Sequence, residues 1–181
     1  MNRNTTSIQK LALSAVCLAL CMVLPFLTGQ IPEIGSMLCP MHIPVLLCGF
    51  LCGPAWAAVV GAIAPLLRFA LFGMPPLFPT GVAMCVELAT YGAVSGLLYS
   101  FLPRKPINLY VSLLSAMLLG RIVWGVVRLA IAGVTGSAFT WAAFMAGAFT
   151  SAVPGIILHL VLIPLIVLAL ERALPWLRHH K

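Results

Sequence analysis

Charged residues are scarce in this chain of 181 residues, and aspartate is missing altogether. Only 7% of the residues are charged, whereas 62% are hydrophobic. A soluble domain carries about 25% charged residues, so this chain has too few polar groups to cover a surface that faces water. The scarcity of charge therefore excludes a soluble globular domain and predicts an integral membrane protein that contacts lipid.

Several motifs that carry energy-coupling or enzymatic chemistry are also missing. The sequence contains no GxxxxGK[ST] loop, so the chain cannot hydrolyse ATP by that route. The six cysteines have no His or carboxylate beside them in a metal-binding arrangement, which predicts packing roles and no bound metal. The internal repeats of proton-coupled transporters are not visible either. A membrane protein without an energy source of its own needs a partner that supplies the energy.

The net charge of +7 does not indicate a nucleic-acid partner. The ten basic residues are scattered or terminal, and they form no basic face interleaved with aromatic side chains. In a membrane protein the positions of these charges matter more than their sum.

Six apolar segments, separated by breaks rich in Pro and Gly, predict one all-α transmembrane bundle over residues 1–181. A bilayer core needs about 20 apolar residues per helix. The predicted spans are residues 8–27, 42–52, 55–72, 80–101, 108–132 and 141–170. The second span is too short for a full crossing, because its residues cover only about 17 Å at a rise of 1.5 Å each. We expect protein on all its sides or local thinning of the bilayer.

The basic residues favour six crossings over five. The basic residues outside the predicted spans flank the first span and follow the fourth and sixth: Arg3, Lys10, Arg104, Lys105, Arg172, Arg178 and Lys181. The remaining connections hold no Lys or Arg. If the second and third segments both cross, all these residues lie on one side, as the positive-inside rule requires. This topology predicts that both termini are cytoplasmic.

Ionisable side chains inside apolar spans are costly in lipid, so each one needs a partner or a function. The set within or at the edge of the predicted spans comprises Arg68, Glu87, Arg121, Arg128, His159 and His42. The predicted topology places these residues between the midplane and the outer half of the membrane. This distribution is typical of a cavity that opens to the exterior.

One face of the fifth predicted span combines charge with an aromatic ring. Arg121, Trp124, Gly125 and Arg128 follow the spacing i, i+3, i+4, i+7, which places them on one helical stripe. If one of the three intramembrane arginines pairs with Glu87, positive charge is left over. A carboxylate on a ligand would balance that charge, because a guanidinium binds carboxylates with two hydrogen bonds.

A structural ion-pair network, in which an Arg reaches the outer interface, would produce the same composition. His159 is better explained as a core histidine, and His42 either lines the cavity mouth or packs in the core.

Pairs of small residues four positions apart allow helices to approach closely. Gly92 and Gly96 form such a pair in the fourth predicted span, where we expect internal packing. Ala15 and Ala19 form another in the first span, where internal packing and a docking face for a partner protein are both open.

Five stretches of the chain resemble the substrate-binding S components of energy-coupling factor (ECF) transporters, in the branch with pantothenate-type members. They are residues 26–32 (FLTGQIP), 40–45 (PMHIPV), 73–76 (GMPP), 87–92 (ELATYG) and 120–125 (GRIVWG). The resemblance implies a six-helix bundle in a bacterial cell membrane. It also implies capture, at the outer side, of a vitamin or related micronutrient, with pantothenate as one candidate.

The resemblance implies roles for two further parts of the chain. Residues 28–40 would act as a lid, and Ala15 and Ala19 would dock on a transmembrane coupling subunit. Two ATPase subunits would use the ATP, so this chain would need no cofactor of its own. The S component would topple in the membrane to release its cargo.

The alternative is a small intramembrane enzyme that uses Glu87 and His159. A catalytic base needs a reactive partner within hydrogen-bond reach, and no Ser, Cys or Asp has a spacing that suggests one. A channel or scaffold protein is a third interpretation.

Overall fold

The computed structural model describes residues 3–28, 31–103, 105–137, 140–150 and 152–173. Within these ranges the chain forms helices joined by turns, without a strand. The helices are α1 (Arg3–Val23), α2 (Pro32–Leu38), α3 (His42–Cys52), α4 (Pro54–Phe72), α5 (Val82–Phe101), α6 (Pro106–Thr135), α7 (Trp141–Met145) and α8 (Val153–Ala173). Five helical segments of the described chain are long and apolar enough to cross a membrane, and α3 is a shorter apolar helix. The predicted all-α membrane bundle is confirmed.

The short helix α3 lies in the centre of the bundle. All of its residues are buried, and it packs against α1, α4, α5 and α8. It begins at His42 and ends at Cys52, where Gly53 adopts a positive φ of 98° and Pro54 starts α4. Because other helices surround it, α3 does not have to span the lipid alone.

The connection between the first two predicted spans contains a helix that we did not predict. α2 has Pro32 at its first position, and Cys39, which follows its last residue, adopts the left-handed conformation with φ 48°. The N–H of Cys39 donates to the carbonyl of Gly35 over 2.9 Å and closes the last turn. Gly29, which we placed in this connection, lies outside the described residues.

The last predicted span, residues 141–170, is not one continuous helix in the structure. The structure divides it into α7, an irregular helical turn at Ala146–Thr150, and α8. Pro154 lies in the first turn of α8, where its missing N–H breaks no hydrogen bond. This proline therefore marks the start of a helix instead of interrupting one.

Small residues bring α4 and α5 into direct backbone contact. A Cβ added at Gly92 would lie 2.6 Å from backbone atoms of Ala57, and one at Gly96 would lie 2.6 Å from the nitrogen of Pro54. The internal packing predicted for Gly92 and Gly96 is confirmed. Ala15 and Ala19 are exposed on α1, so they do not pack inside the bundle.

The chain direction separates two ends of the bundle. α1 and α4 end, and α3, α5 and α8 begin, at one end, which carries the longer connections. We call it the cavity end. The opposite end holds the tight turn at Gly53 and the connection that includes Lys105. Of the residues in the charge argument, Arg104, Arg178 and Lys181 lie outside the described part of the chain.

Candidate ligand-binding cavity

A cavity of about 430 Å³ opens at the cavity end of the bundle. Ligand pockets in proteins have volumes of about 300–1,000 Å³, so this one can hold a small organic molecule. Its walls are mostly apolar and include Pro25, Ile31, Met74, Met84 and Trp124. A smaller set of polar side chains reaches it from several helices and connections: Thr28, His42, Arg68, Thr80, Glu87 and Arg121. This composition is typical of a binding site.

Glu87 is the buried centre of the polar part of the cavity. Its side chain comes from the second turn of α5 and is 1% exposed. Its Oε1 lies 3.0 Å from Nη1 of Arg121 and 3.4 Å from Nε2 of His42. The ring of Tyr91 packs edge-on against His42, with the ring centres 5.0 Å apart. Arg121, Glu87 and His42, three of the predicted residues, thus meet at one wall.

Cys39 is a member of this group that the sequence did not reveal. Nη2 of Arg121 donates to Sγ of Cys39 over 3.2 Å, which connects α6 to the end of α2. Burial raises the pKa of the Cys39 thiol above its usual value, so the group is uncharged near neutral pH. Because the thiol is neutral, it does not balance the positive charge of Arg121. Among the described side chains, the carboxylate of Glu87 does so.

Arg68 reaches the cavity from the last turns of α4 and is only 3% exposed. Its Nη1 donates to the carbonyl of Met22 over 2.6 Å. The guanidinium lies 5.2 Å from the ring centres of both Phe26 and Phe72, which is cation–π geometry. Among the side chains that the structure describes, no carboxylate forms an ion pair with it.

The predicted stripe on α6 divides along the helix axis. Arg121 and Trp124 line the cavity, but Arg128 does not. Arg128 follows Arg121 by seven positions, which correspond to about 10 Å along a helix. The Arg128 guanidinium instead lies over the ring of Trp124, 6.0 Å from its centre. The structure therefore places Arg128 apart from the residues that line this cavity, since residues on one helical face can lie at different depths.

His159 lies behind the cavity wall instead of on it. Its ring stacks on that of His42 with 6.3 Å between centres, and the residue is 3% exposed. It is not among the residues that line the cavity. His42, in contrast, lines the cavity directly.

The described residues offer no metal site. No group of three or more His, Cys, Asp or Glu side chains in this part of the chain is arranged to hold a metal ion.

Comparison with known proteins defines the family. Residues 9–167 match the family model described as "ECF transporter, substrate-specific component". This chain belongs to that family. The comparisons found no matching curated protein and no matching solved structure.

Family membership has direct consequences for this S component. It is a multi-pass membrane protein and a transporter subunit, and its family associates with ECF coupling and ATPase modules. All five stretches that carry the resemblance lie within the matched residues. The alternative of an intramembrane enzyme based on Glu87 and His159 is not favoured.

Proposed function

We propose that this S component binds a small organic anion in the cavity and supplies it to an ATP-driven coupling module. The observation that carries the proposal is the charge of the cavity. Two positively charged side chains, Arg68 and Arg121, line the cavity, whereas Glu87 is the one carboxylate among its described lining residues. A buried charge without a partner is costly, so a ligand carboxylate that neutralises the excess would bind favourably.

The cavity separates its charged residues from apolar surface. Glu87, Arg121 and His42 form one polar group, whereas Met74, Met84 and the prolines supply apolar walls. A ligand that suits this arrangement has one acidic group and a compact body of low charge. Pantothenate is a small carboxylate of this type, and it is the first ligand to test.

We propose that the cavity faces the outside of a bacterial cell membrane. The connections at the cavity end contain no Lys or Arg, whereas Lys10, Lys105 and Arg172 lie towards the other end. Basic residues concentrate on the cytoplasmic side of membrane proteins. Both termini are then cytoplasmic, and the ligand enters from outside.

The proposed partner contact is the exposed face of α1. Ala15 and Ala19 present a smooth surface there, since each lacks a side chain beyond Cβ. Small residues at this spacing allow a partner helix to approach closely in lipid. We propose that the transmembrane coupling subunit docks on this face and that its two ATPase subunits use the ATP.

Titration of purified protein with pantothenate and with its neutral amide, pantothenamide, tests the anion assignment. We expect pantothenate to bind more tightly than the amide. We expect Arg68→Gln to weaken anion binding by about 30-fold or more, because truncating one member of a buried charge pair costs about 2–5 kcal/mol.

Arg172→Gln is the matched control, because Arg172 is exposed near the end of α8. Equal affinities of wild type and Arg68→Gln for every carboxylate that binds would refute the anion assignment. A panel of other small carboxylates separates a wrong choice of pantothenate from a wrong class of ligand.

A further inference from the structure

One face of the segment between α1 and α3 forms part of the cavity wall. Ile31, Gly35 and Cys39 line the cavity and recur at intervals of four residues. Residues at this interval lie on one side of a helix. We call residues 31–40, which contain α2, the lid segment.

The other side of the lid segment presses its backbone against α8. A Cβ added at Gly155 would overlap the carbonyl oxygen of Met37 and would lie 3.1 Å from carbonyl atoms of Leu38. These are backbone atoms, so no side-chain rotation can make room for a larger residue. Gly155 therefore allows an approach of α2 to α8 that any other residue would prevent.

His159, one turn further along α8, contacts the same segment. Its Nε2 has no hydrogen-bond partner among the described residues. Its imidazole lies beside the backbone of Cys39. This explains a buried histidine that does not line the cavity.

Cys39 itself is held from two sides. Arg121 of α6 donates to its Sγ, while His159 of α8 lies beside its backbone. Its left-handed conformation is unfavourable for a residue with a Cβ and persists where surrounding contacts impose it. Cys39 thus connects the lid segment to a binding residue, Arg121.

We propose that Gly155 and His159 are positioning residues that hold the lid segment closed over the cavity. The proposal rests on the proposed function, because a closed lid segment matters when the cavity holds a ligand. Its test needs no ligand, however, so a failure of the ligand assignment and a failure of this proposal can be told apart.

The experiment measures how fast N-ethylmaleimide modifies each cysteine of the purified full chain, by mass spectrometry of peptides. In Gly155→Ala we expect modification of Cys39 to become about tenfold faster or more, in keeping with the cost of overpacking a close contact. Gly133→Ala is the matched control, since a Cβ there meets nothing within 4 Å. Cys21 and Cys48, fully buried between α1 and α3, report general loosening of the bundle and should stay slow.

A second pair of variants keeps the proposal testable if Gly155→Ala does not fold. His159→Leu removes the polar group beside the Cys39 backbone, whereas His159→Asn retains a hydrogen-bond donor there. We expect fast modification of Cys39 in the first variant and slow modification in the second. Unchanged modification of Cys39 in a folded Gly155→Ala would overturn the proposal, and so would equal rates in the two His159 variants.

Discussion

We expect the protein to tolerate the loss of both Glu87 and Arg121 better than the loss of either one. The carboxylate is 1% exposed, and its Oε1 lies 3.0 Å from Nη1 of Arg121. Removing one member leaves the other as an uncompensated buried charge, which costs about 3–5 kcal/mol, whereas replacing both members is often close to neutral. The single variants Glu87→Gln and Arg121→Met should therefore each be less stable than the double variant.

The expected size of this effect is large enough to measure. For a chain of this size, 1 kcal/mol corresponds to a change of about 2–4 °C in Tm, so each single variant should lose about 6–20 °C. The double variant should lie within a few degrees of wild type. Thermal unfolding of ligand-free protein in detergent, followed by circular dichroism, measures all four proteins under the same conditions.

Added ligand should affect the Tm of the two single variants differently. Glu87→Gln retains both guanidiniums of the cavity, so an anionic ligand should still bind and should restore part of the lost Tm. Arg121→Met loses one guanidinium and should recover little. If the Tm losses of the single variants simply add in the double variant, Glu87 and Arg121 do not interact as the geometry indicates, and the reasoning is refuted.

Three further predictions concern other parts of the molecule. Ala15→Leu should reduce co-purification with the coupling subunit while leaving ligand affinity unchanged. Ala130→Leu, on an exposed face of α6, is the control, and equal recovery of both complexes would contradict the docking proposal. Arg128→Gln should change ligand affinity by less than about threefold in a titration, because Arg128 does not line the cavity, and a large loss would place it there. Gly92→Ala should lower the Tm, because its Cβ would overlap α4 at a cost of about 1–3 kcal/mol, whereas Gly133→Ala should not; equal Tm values would argue against the close contact.

The sequence was sufficient for the parts of the fold that local chemistry determines. α3 was predicted with its observed ends because Gly53 and Pro54 stop one helix and start the next. α2 was missed, since a helix of seven residues is too short to show an apolar period. The break between α7 and α8 was missed because Pro154 fits either the interior of a kinked helix or the start of a new one.

The candidate site was predictable in its charged residues but not in its connections. Arg121, Glu87 and Arg68 were recognisable because ionisable groups are rare in apolar helices. Cys39 was not, because a cysteine among apolar residues resembles ordinary packing. The position of Arg128 away from the cavity was not predictable, because a helical stripe fixes a direction but not which neighbours lie opposite each turn. The contact between α2 and Gly155 joins distant parts of the chain, and no local pattern reports it.

The proposed function requires that the cavity binds an organic anion. Native mass spectrometry of the protein purified from membranes, followed by release and identification of any bound molecule, tests it most directly. We expect one small molecule with an acidic group, present in wild type and in Arg172→Gln but lost from Arg121→Met. A neutral or cationic molecule bound with equal occupancy in all three proteins would contradict it.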